Sequence, residues 1–339
     1  MCAMKTLLIA LWLCAAAGLR AADGEERASE LVREYGGSLI FVEDRGGAGS
    51  GFVCTIAGKK FALTNQHVVA GRNGVAFTLL DGAALKVGQA AAAVGHDIMS
   101  FAVFPDVKAM EMMTEVEKNV SIGDPVAVLG NPEGARVIKP LVGRVVGIGP
   151  NLVEVDAAFV PGNSGSPILH LKSGKVIGVA TYLTLREMDS LTGRRAPQIR
   201  RFGFRLDSVK QWQPIVWPVY NEEFQAIEKI EARTHDLAAL LRELGRTGGI
   251  NTANHRDPAI RNPLEKFDKA AGSKGLNAAD RGRAVKDLMS AMRTACQSDI
   301  AQAQMRLRYD FFRKSLGEEQ KVREEFYKIF DELMKLPAR

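Results

Sequence analysis

The sequence predicts a mainly β domain of two six-stranded antiparallel barrels, followed by an α-helical C-terminal region. Two observations carry this. Between about residues 38 and 206, short apolar runs alternate with Gly, Asn, Asp and Pro, as strands alternate with turns. Beyond residue 220 the apolar spacing becomes three and four, which places each set on one helix face. A length of 339 residues accommodates about two domains, here expected at 25–215 and 220–339.

The opening "MCAMKTLLIALWLCAAAGLRAADGEE" places Lys5 before an apolar run from Thr6 to Ala17, then small residues and an acidic start. That run is short for a bilayer span, and its flanks fit a cleavable secretory signal over residues 1–21. The chain is therefore expected to be exported, periplasmic or secreted, with no stable membrane insertion after cleavage. Processing removes Cys2 and Cys14 and leaves Cys54 and Cys296, too few for a disulfide scaffold; two separate buried thiols or a single bridge remain open. No Cys-x-x-Cys or His-Glu-x-x-His spacing suggests a metal, and no cofactor is expected. The formal charge of +6 falls to about +4 without Lys5 and Arg20, which is mild and calls for no nucleic acid. "GGAGSG" at 46–51 misses the dinucleotide-binding register and runs into a strand, so it reads as a turn.

The first six strands are "SLIFVE", "SGFVCTI", "KKFALT", "VAFTLL", "LKVGQAAAA" and "DIMSFAV". The second six are "PVAVLG", "KPLVGRVVGIG", "NLVEVD", "SGSPILH", "GKVIGVATYLTL" and "IRRFGFRL". Barrel closure would remove their exposed edges. Short helical pieces are expected near Glu25 to Glu34 and Asp207 to Trp212. In the helical region the apolar faces are Phe224, Ile227 and Ile230; Val285, Leu288, Met292 and Ala295; Ile300, Ala303, Leu307 and Phe311; Val322, Phe326, Ile329 and Leu333. Asn277 followed by Asp280 marks a helix start. The breaker-rich stretch from Gly245 to Gly275 reads as a loop or linker. Balanced charge favours a solvated bundle, a candidate surface for oligomer contacts.

The chemistry-bearing stretch is "PGNSGSPIL", residues 161–169, where Ser164 sits among turn-forming residues. Upstream, His67 ends an apolar strand in "FALTNQHVVAG", and Asp97 opens the next candidate strand in "GHDIMSFAV". A serine nucleophile needs an imidazole base, and the base needs a carboxylate to hold its tautomer. The chain order His, Asp, Ser is that of the chymotrypsin arrangement. The Gly-x-Ser-x-Gly elbow of α/β-hydrolases fails because position 166 is Ser. His96 and His170 read as packing residues.

"TNQH", "HDIMSF" and "PGNSGSPIL" together resemble the three motifs of trypsin-like serine proteases, with the bacterial Deg/HtrA branch the nearest in pattern. "GSGF", "GNPEG", "GKVIGVAT" and "FGFRL" fall in that branch's order, and the resemblance covers roughly residues 38–210. It implies Ser164 as nucleophile, His67 as general base and acid, and Asp97 as the residue that orients His67. It implies the backbone amides of Gly162 and Ser164 as the oxyanion hole. It also places Ala158 at the floor of the primary pocket, favouring small or medium apolar side chains, with Tyr182 narrowing the rim. The strand segment with Ala180, Thr181 and Tyr182 would pair with extended substrate.

Some features depart from the family. Ser166 stands where glycine is usual. Nothing after residue 220 resembles a PDZ domain, and Cys54 lacks the bridge partner of animal trypsins. The loop from Arg186 to Arg201 reads as solvated. The implied function is an exported serine endopeptidase acting on polypeptides, in envelope protein quality control. The competing reading is a binding or chaperone-like scaffold on a protease fold with a gated or inactive site.

Overall fold

A computed structural model describes residues 23–44, 46–72, 74–104, 106–186, 198–247, 258–272 and 278–333. The signal expected at 1–21, most of the Arg186 to Arg201 loop and Asn277 lie outside the described residues. The chain divides into two compact units, one running to Ile215 and one from Val216.

The first unit opens with helix α1 over residues 23–35, as its sequence predicts. The first sheet contains β1 (Leu39–Asp44), β2 (Gly47–Ile56), β3 (Lys59–Thr64), β4 (Ala76–Leu79), β5 (Val87–Ala93), β6 (Met99–Val103) and β7 (Met110–Glu111). A late strand, β14 (Trp212–Pro214), joins it, and the order is β14-β5-β6-β3-β2-β1-β4, with β7 pairing parallel to β2. The first barrel is thus an open half-barrel. β14 occupies the β5 edge through the register Trp212↔Ala93 to Pro214↔Ala91, so β4 and β5 do not close the sheet. Only a single turn, Leu206–Ser208, stands where the helical piece at 207–212 is expected.

The second sheet is a closed barrel of β8 (Pro125–Gly130), β9 (Lys139–Ile148), β10 (Leu152–Val155), β11 (Pro167–His170), β12 (Lys175–Arg186) and β13 (Gln198–Arg205). Its strands β8 and β11 are buried on both faces, whereas β10 alternates half-buried with buried residues. On β8, Val126 and Val128 fill the barrel with Val145, Val153, Ile168 and Ile177. The intervening Ala127 and Leu129 pack outward against Leu39, Phe52, Leu63 and Met110 of the first sheet. The alternation of successive strand side chains thus lets one strand serve two cores. Burying both cores supplies the main favourable term, at about 25 cal/mol per Å² of apolar surface.

The second unit contains α4 (Trp217–Thr247), α5 (Pro258–Gly272), α6 (Ala278–Arg306) and α7 (Asp310–Leu333). Here α2 (Gln66–Val69) and α3 (Val116–Asn119) are the short helices of the first unit. The stretch read as a linker therefore contains a helix. Pro258 takes its first position, where a missing N–H costs no intrahelical bond. Leu237, Leu240, Leu264, Leu288, Met292 and Cys296 form the core.

Of the apolar face expected on α7, Phe326 packs against the core, whereas Val322 and Ile329 are 41% and 47% exposed. The most buried residue of α7 is instead Arg323, which is fully buried. Its guanidinium donates to Thr234 Oγ1 at 2.9 Å and Ile230 O at 2.8 Å on α4, and to Cys296 O at 2.9 Å on α6. Hydrogen bonding of this buried charge to two neighbouring helices outweighs the hydrophobic pattern. The set running from Ile300 to Phe311 is interrupted between α6 and α7. There the buried Glu223 accepts the backbone N–H groups of Arg308 at 2.7 Å and Tyr309 at 3.0 Å.

Candidate active site

Strand β3 ends at Thr64, and the chain turns at once into α2. Val68 and Val69 are buried beneath it, whereas the side chain of His67 stays 42% exposed. A short amphipathic turn thus presents the imidazole to the surface. Asp97 lies in the turn between β5 and β6, two residues before β6 begins. Asn65 Nδ2 donates to Asp97 O at 2.6 Å and Gln66 Nε2 donates to His96 O at 2.8 Å. These amides fix the turn against the histidine segment.

The Asp97 carboxylate reaches His67 twice. Oδ2 is 2.6 Å from His67 Nδ1, and Oδ1 accepts the His67 backbone N–H at 3.1 Å. Burial works against the imidazolium, but the charge and hydrogen bond of Asp97 outweigh it, with Arg72 opposing; the His67 pKa lies above its ordinary value of 6.5.

Thr181 connects this pair to Ser164. The β12–β13 register shifts between Ala180 and Tyr182, leaving Thr181 in a β-bulge. A bulge re-aims the extra residue. Its Oγ1 donates to Asp97 Oδ2 at 2.9 Å, and its carbonyl accepts Ser164 Oγ at 3.4 Å. The serine hydroxyl therefore rests on Thr181 O; no hydrogen bond joins it to His67 among the described residues. Bonds between nucleophile and base commonly tighten only when substrate binds.

The loop carrying Ser164 is held through its carbonyls. Glu133 N–H donates to Pro161 O at 2.9 Å, Ser50 Oγ to Gly162 O at 2.8 Å, Ser166 N–H to Asn163 O at 3.0 Å, and Ser50 N–H to Ser164 O at 2.9 Å. Among the described residues, the N–H groups of Gly162 and Ser164 have no acceptor. Gly162 has φ +95°, and an added Cβ would run into Asn131 O and come within 2.7 Å of Glu133 N, so only glycine suits this position.

Of the residues expected to bind substrate, Ala158 is exposed, while Ala180 is fully buried. The Ala180 N–H donates to Ser166 O, and its carbonyl accepts Gly165 N–H, each at 2.9 Å. Its peptide groups are thus used inside the domain. From Tyr182 onward, β12 is paired with β13 on one side. The Tyr182 ring stacks on Phe202, with centroids 5.1 Å apart. His96 and His170 are both buried and bound within the framework, His96 to Ser208 Oγ at 2.7 Å and His170 to Ser173 Oγ at 2.9 Å. Sequence reasoning missed the roles of Ser50, Glu133 and Thr181's bulge. Ser50 does fall within the "GSGF" motif.

A family profile for the trypsin-like peptidase domain matches residues 49–179. A probable periplasmic serine endoprotease, DegP-like, from Brucella suis is 35% identical over 141 residues, covering 39% of this chain and 27% of that protein. A probable periplasmic serine protease, do/HhoA-like, from Haemophilus influenzae is 29% identical over 164 residues, covering 44% of this chain and 34% of its own length. The chain thus spans about a third or less of these curated relatives. Among solved structures, a serine endoprotease from Yersinia pestis overlays with TM-score 0.41 at 20% identity, covering 52% of this chain and 62% of that one. Residues 49–179 therefore form a trypsin-like peptidase domain, and over this part the chain is similar to the DegP-like serine proteases.

Proposed function

We propose that this chain is an exported serine endopeptidase that hydrolyses peptide bonds in polypeptides through His67, Asp97 and Ser164. The observation that carries the reading is the linked set itself: Asp97 holds His67 Nδ1, Thr181 joins Asp97 to Ser164, and the N–H groups of Gly162 and Ser164 have no acceptor among the described residues. In the first step Ser164 Oγ attacks the carbonyl carbon, its proton passes to His67 Nε2, and the N–H groups of Gly162 and Ser164 receive the oxyanion. Collapse breaks the C–N bond as His67 gives that proton to the leaving amine. Water then attacks the acyl-enzyme, losing its proton to His67, and Ser164 regains a proton as the acid departs.

Export fits the opening segment over residues 1–21 and the periplasmic naming of the relatives. A role in envelope protein quality control is part of the same proposal, with 25–215 as the protease domain and 220–339 as a helical accessory region that offers an oligomer surface. Ala158 at the primary pocket favours small or medium apolar side chains. The placement of Ser164 Oγ on Thr181 O is the observation that favours the second reading, a scaffold with a gated site.

Labelling the signal-free protein with a fluorophosphonate, beside Ser164→Ala, tests the proposal. Labelling that vanishes in the variant is expected. An unlabelled wild-type protein that remains folded would favour the scaffold.

A further inference from the structure

We propose that Ser50 is a positioning residue that holds the oxyanion loop in its working orientation. Its catalytic consequence rests on the protease reading. Ser50 is buried on β2, and it contacts both the loop that carries the candidate oxyanion hole and the turn at 131–134 that supports it.

The direction of each bond is fixed by its partner. A backbone N–H can only donate and a carbonyl can only accept. Asn131 N–H donates to Ser50 Oγ at 2.9 Å, so the single hydroxyl proton is committed to Gly162 O at 2.8 Å. Ser50 N–H also donates to Ser164 O at 2.9 Å. Ser50 is itself held, because Thr64 Oγ1 on β3 donates to its carbonyl at 2.7 Å.

These bonds act through two arms. Directly, Ser50 sets the peptide plane after Gly162. Indirectly, it anchors the turn at 131–134, where Glu133, at φ +58°, aims its N–H at Pro161 O. A trans peptide points its C=O and N–H in opposite directions. Fixing Pro161 O on Glu133 therefore turns the Gly162 N–H to the opposite side of that peptide. The outer end of this turn is braced by Arg136, whose N–H donates to Asn131 Oδ1 at 2.7 Å. Its guanidinium grips Glu43, with Nε 2.9 Å from Oε2.

Without the hydroxyl, Gly162 O and Asn131 N–H lose their shared partner in a buried place. Rotation of the flanking peptides relieves that loss and misplaces an oxyanion donor. The effect belongs to the transition state, so it falls on kcat and leaves KM near its wild-type value.

The test uses the full chain with Ser50→Ala and Ser50→Thr, the latter retaining a hydroxyl. Peptide hydrolysis is read as kcat and KM, with Ser164→Ala as the blank. Amide NMR of residues 161–164 is recorded for Ser50→Ala in the Ser164→Ala background. We expect kcat to fall about 10- to 100-fold in Ser50→Ala, the scale of a misplaced donor, and to recover substantially in Ser50→Thr. The pH midpoint set by His67 stays in place, while the Gly162 and Asn163 amide signals shift or broaden. Wild-type kcat in Ser50→Ala, or loop amide signals identical to those of its Ser164→Ala parent, overturns the positioning role. If the wild-type protein hydrolyses nothing, the protease reading falls separately, and the amide signals alone decide the role of Ser50.

Discussion

Replacing Asp97 with Asn probes the candidate site most sharply, because the geometry predicts which tautomer the imidazole must adopt. Asp97 accepts three hydrogen bonds: His67 N–H on Oδ1, and both His67 Nδ1 and Thr181 Oγ1 on Oδ2. An asparagine keeps all three contacts only with its carbonyl on the His67 N–H. Its NH2 then faces His67 Nδ1 and Thr181 Oγ1. Nδ1 becomes an acceptor, which leaves the proton on Nε2, the nitrogen needed as the base. The fold survives and the chemistry does not. Such a tautomer error costs about 10⁴ in kcat in trypsin itself, or roughly 5.4 kcal/mol of barrier. We expect a loss of that order in Asp97→Asn, with KM little changed. The pH midpoint should also move down, since the carboxylate is what raises the His67 pKa against burial. A quenched fluorescent peptide, followed from pH 5 to 9 with Ser164→Ala as the blank, reads both quantities. Thermal unfolding checks that the variant is intact. A kcat within about tenfold of wild type would refute the tautomer argument, because a base protonated on the wrong nitrogen costs far more than that.

In the unaltered protein, kcat/KM should fall with a midpoint above pH 6.5 as acid protonates His67, because its folded pKa is raised. The stability gained from the His67–Asp97 pair is fully present below the unfolded value and is lost as pH rises through the folded one. A kinetic midpoint at or below 6.5 would contradict this. Gly130→Ala should lower stability by about 1–3 kcal/mol, since a Cβ there overlaps Ser166 Oγ and comes within 2.6 Å of Asn163 Nδ2. The loss should shrink in a Ser166→Gly background, and an equal loss in both backgrounds would show that the serine is not the obstacle. Arg323→Met should reduce unfolding stability by about 2–3 kcal/mol, as bonds from a charged donor on α7 to α4 and α6 disappear. Denaturation followed by far-UV circular dichroism would expose an unchanged midpoint. Burial pushes the Cys54 thiol up to about 12, and both Cys54 and Cys296 are free and buried. Neither should react with iodoacetamide at neutral pH until the protein is unfolded; native labelling of Cys54 would contradict its packing.

Much of the framework was legible because strand and turn signals are local. Twelve apolar runs between turn residues correspond to the twelve principal strands, and the helical period after residue 220 corresponds to α4, α6 and α7. The two short strands escaped notice because their pairing is long-range: β14 is three residues whose identity depends on meeting the β5 edge. The open first sheet follows from that same meeting. In the helical unit, apolar spacing found Phe326 on the inner face of α7 but missed its most buried residue. Periodicity counts Arg323 as polar, whereas its fixed guanidinium geometry binds acceptors on two neighbouring helices.

The sequence by itself determined the candidate chemistry: the residue types at 67, 97 and 164, their order, and a glycine at 162 suited to a positive φ. These are properties of side chains and of short stretches of backbone, so they are written where they act. The tertiary structure alone decided what holds them together. Thr181 bridges Asp97 and Ser164 only because a bulge turns it, and Ser50 reaches Gly162 across 112 positions of chain. Hydrogen bonds are directional and short, and residues so far apart meet their partners only when two packed sheets bring them within about 3 Å.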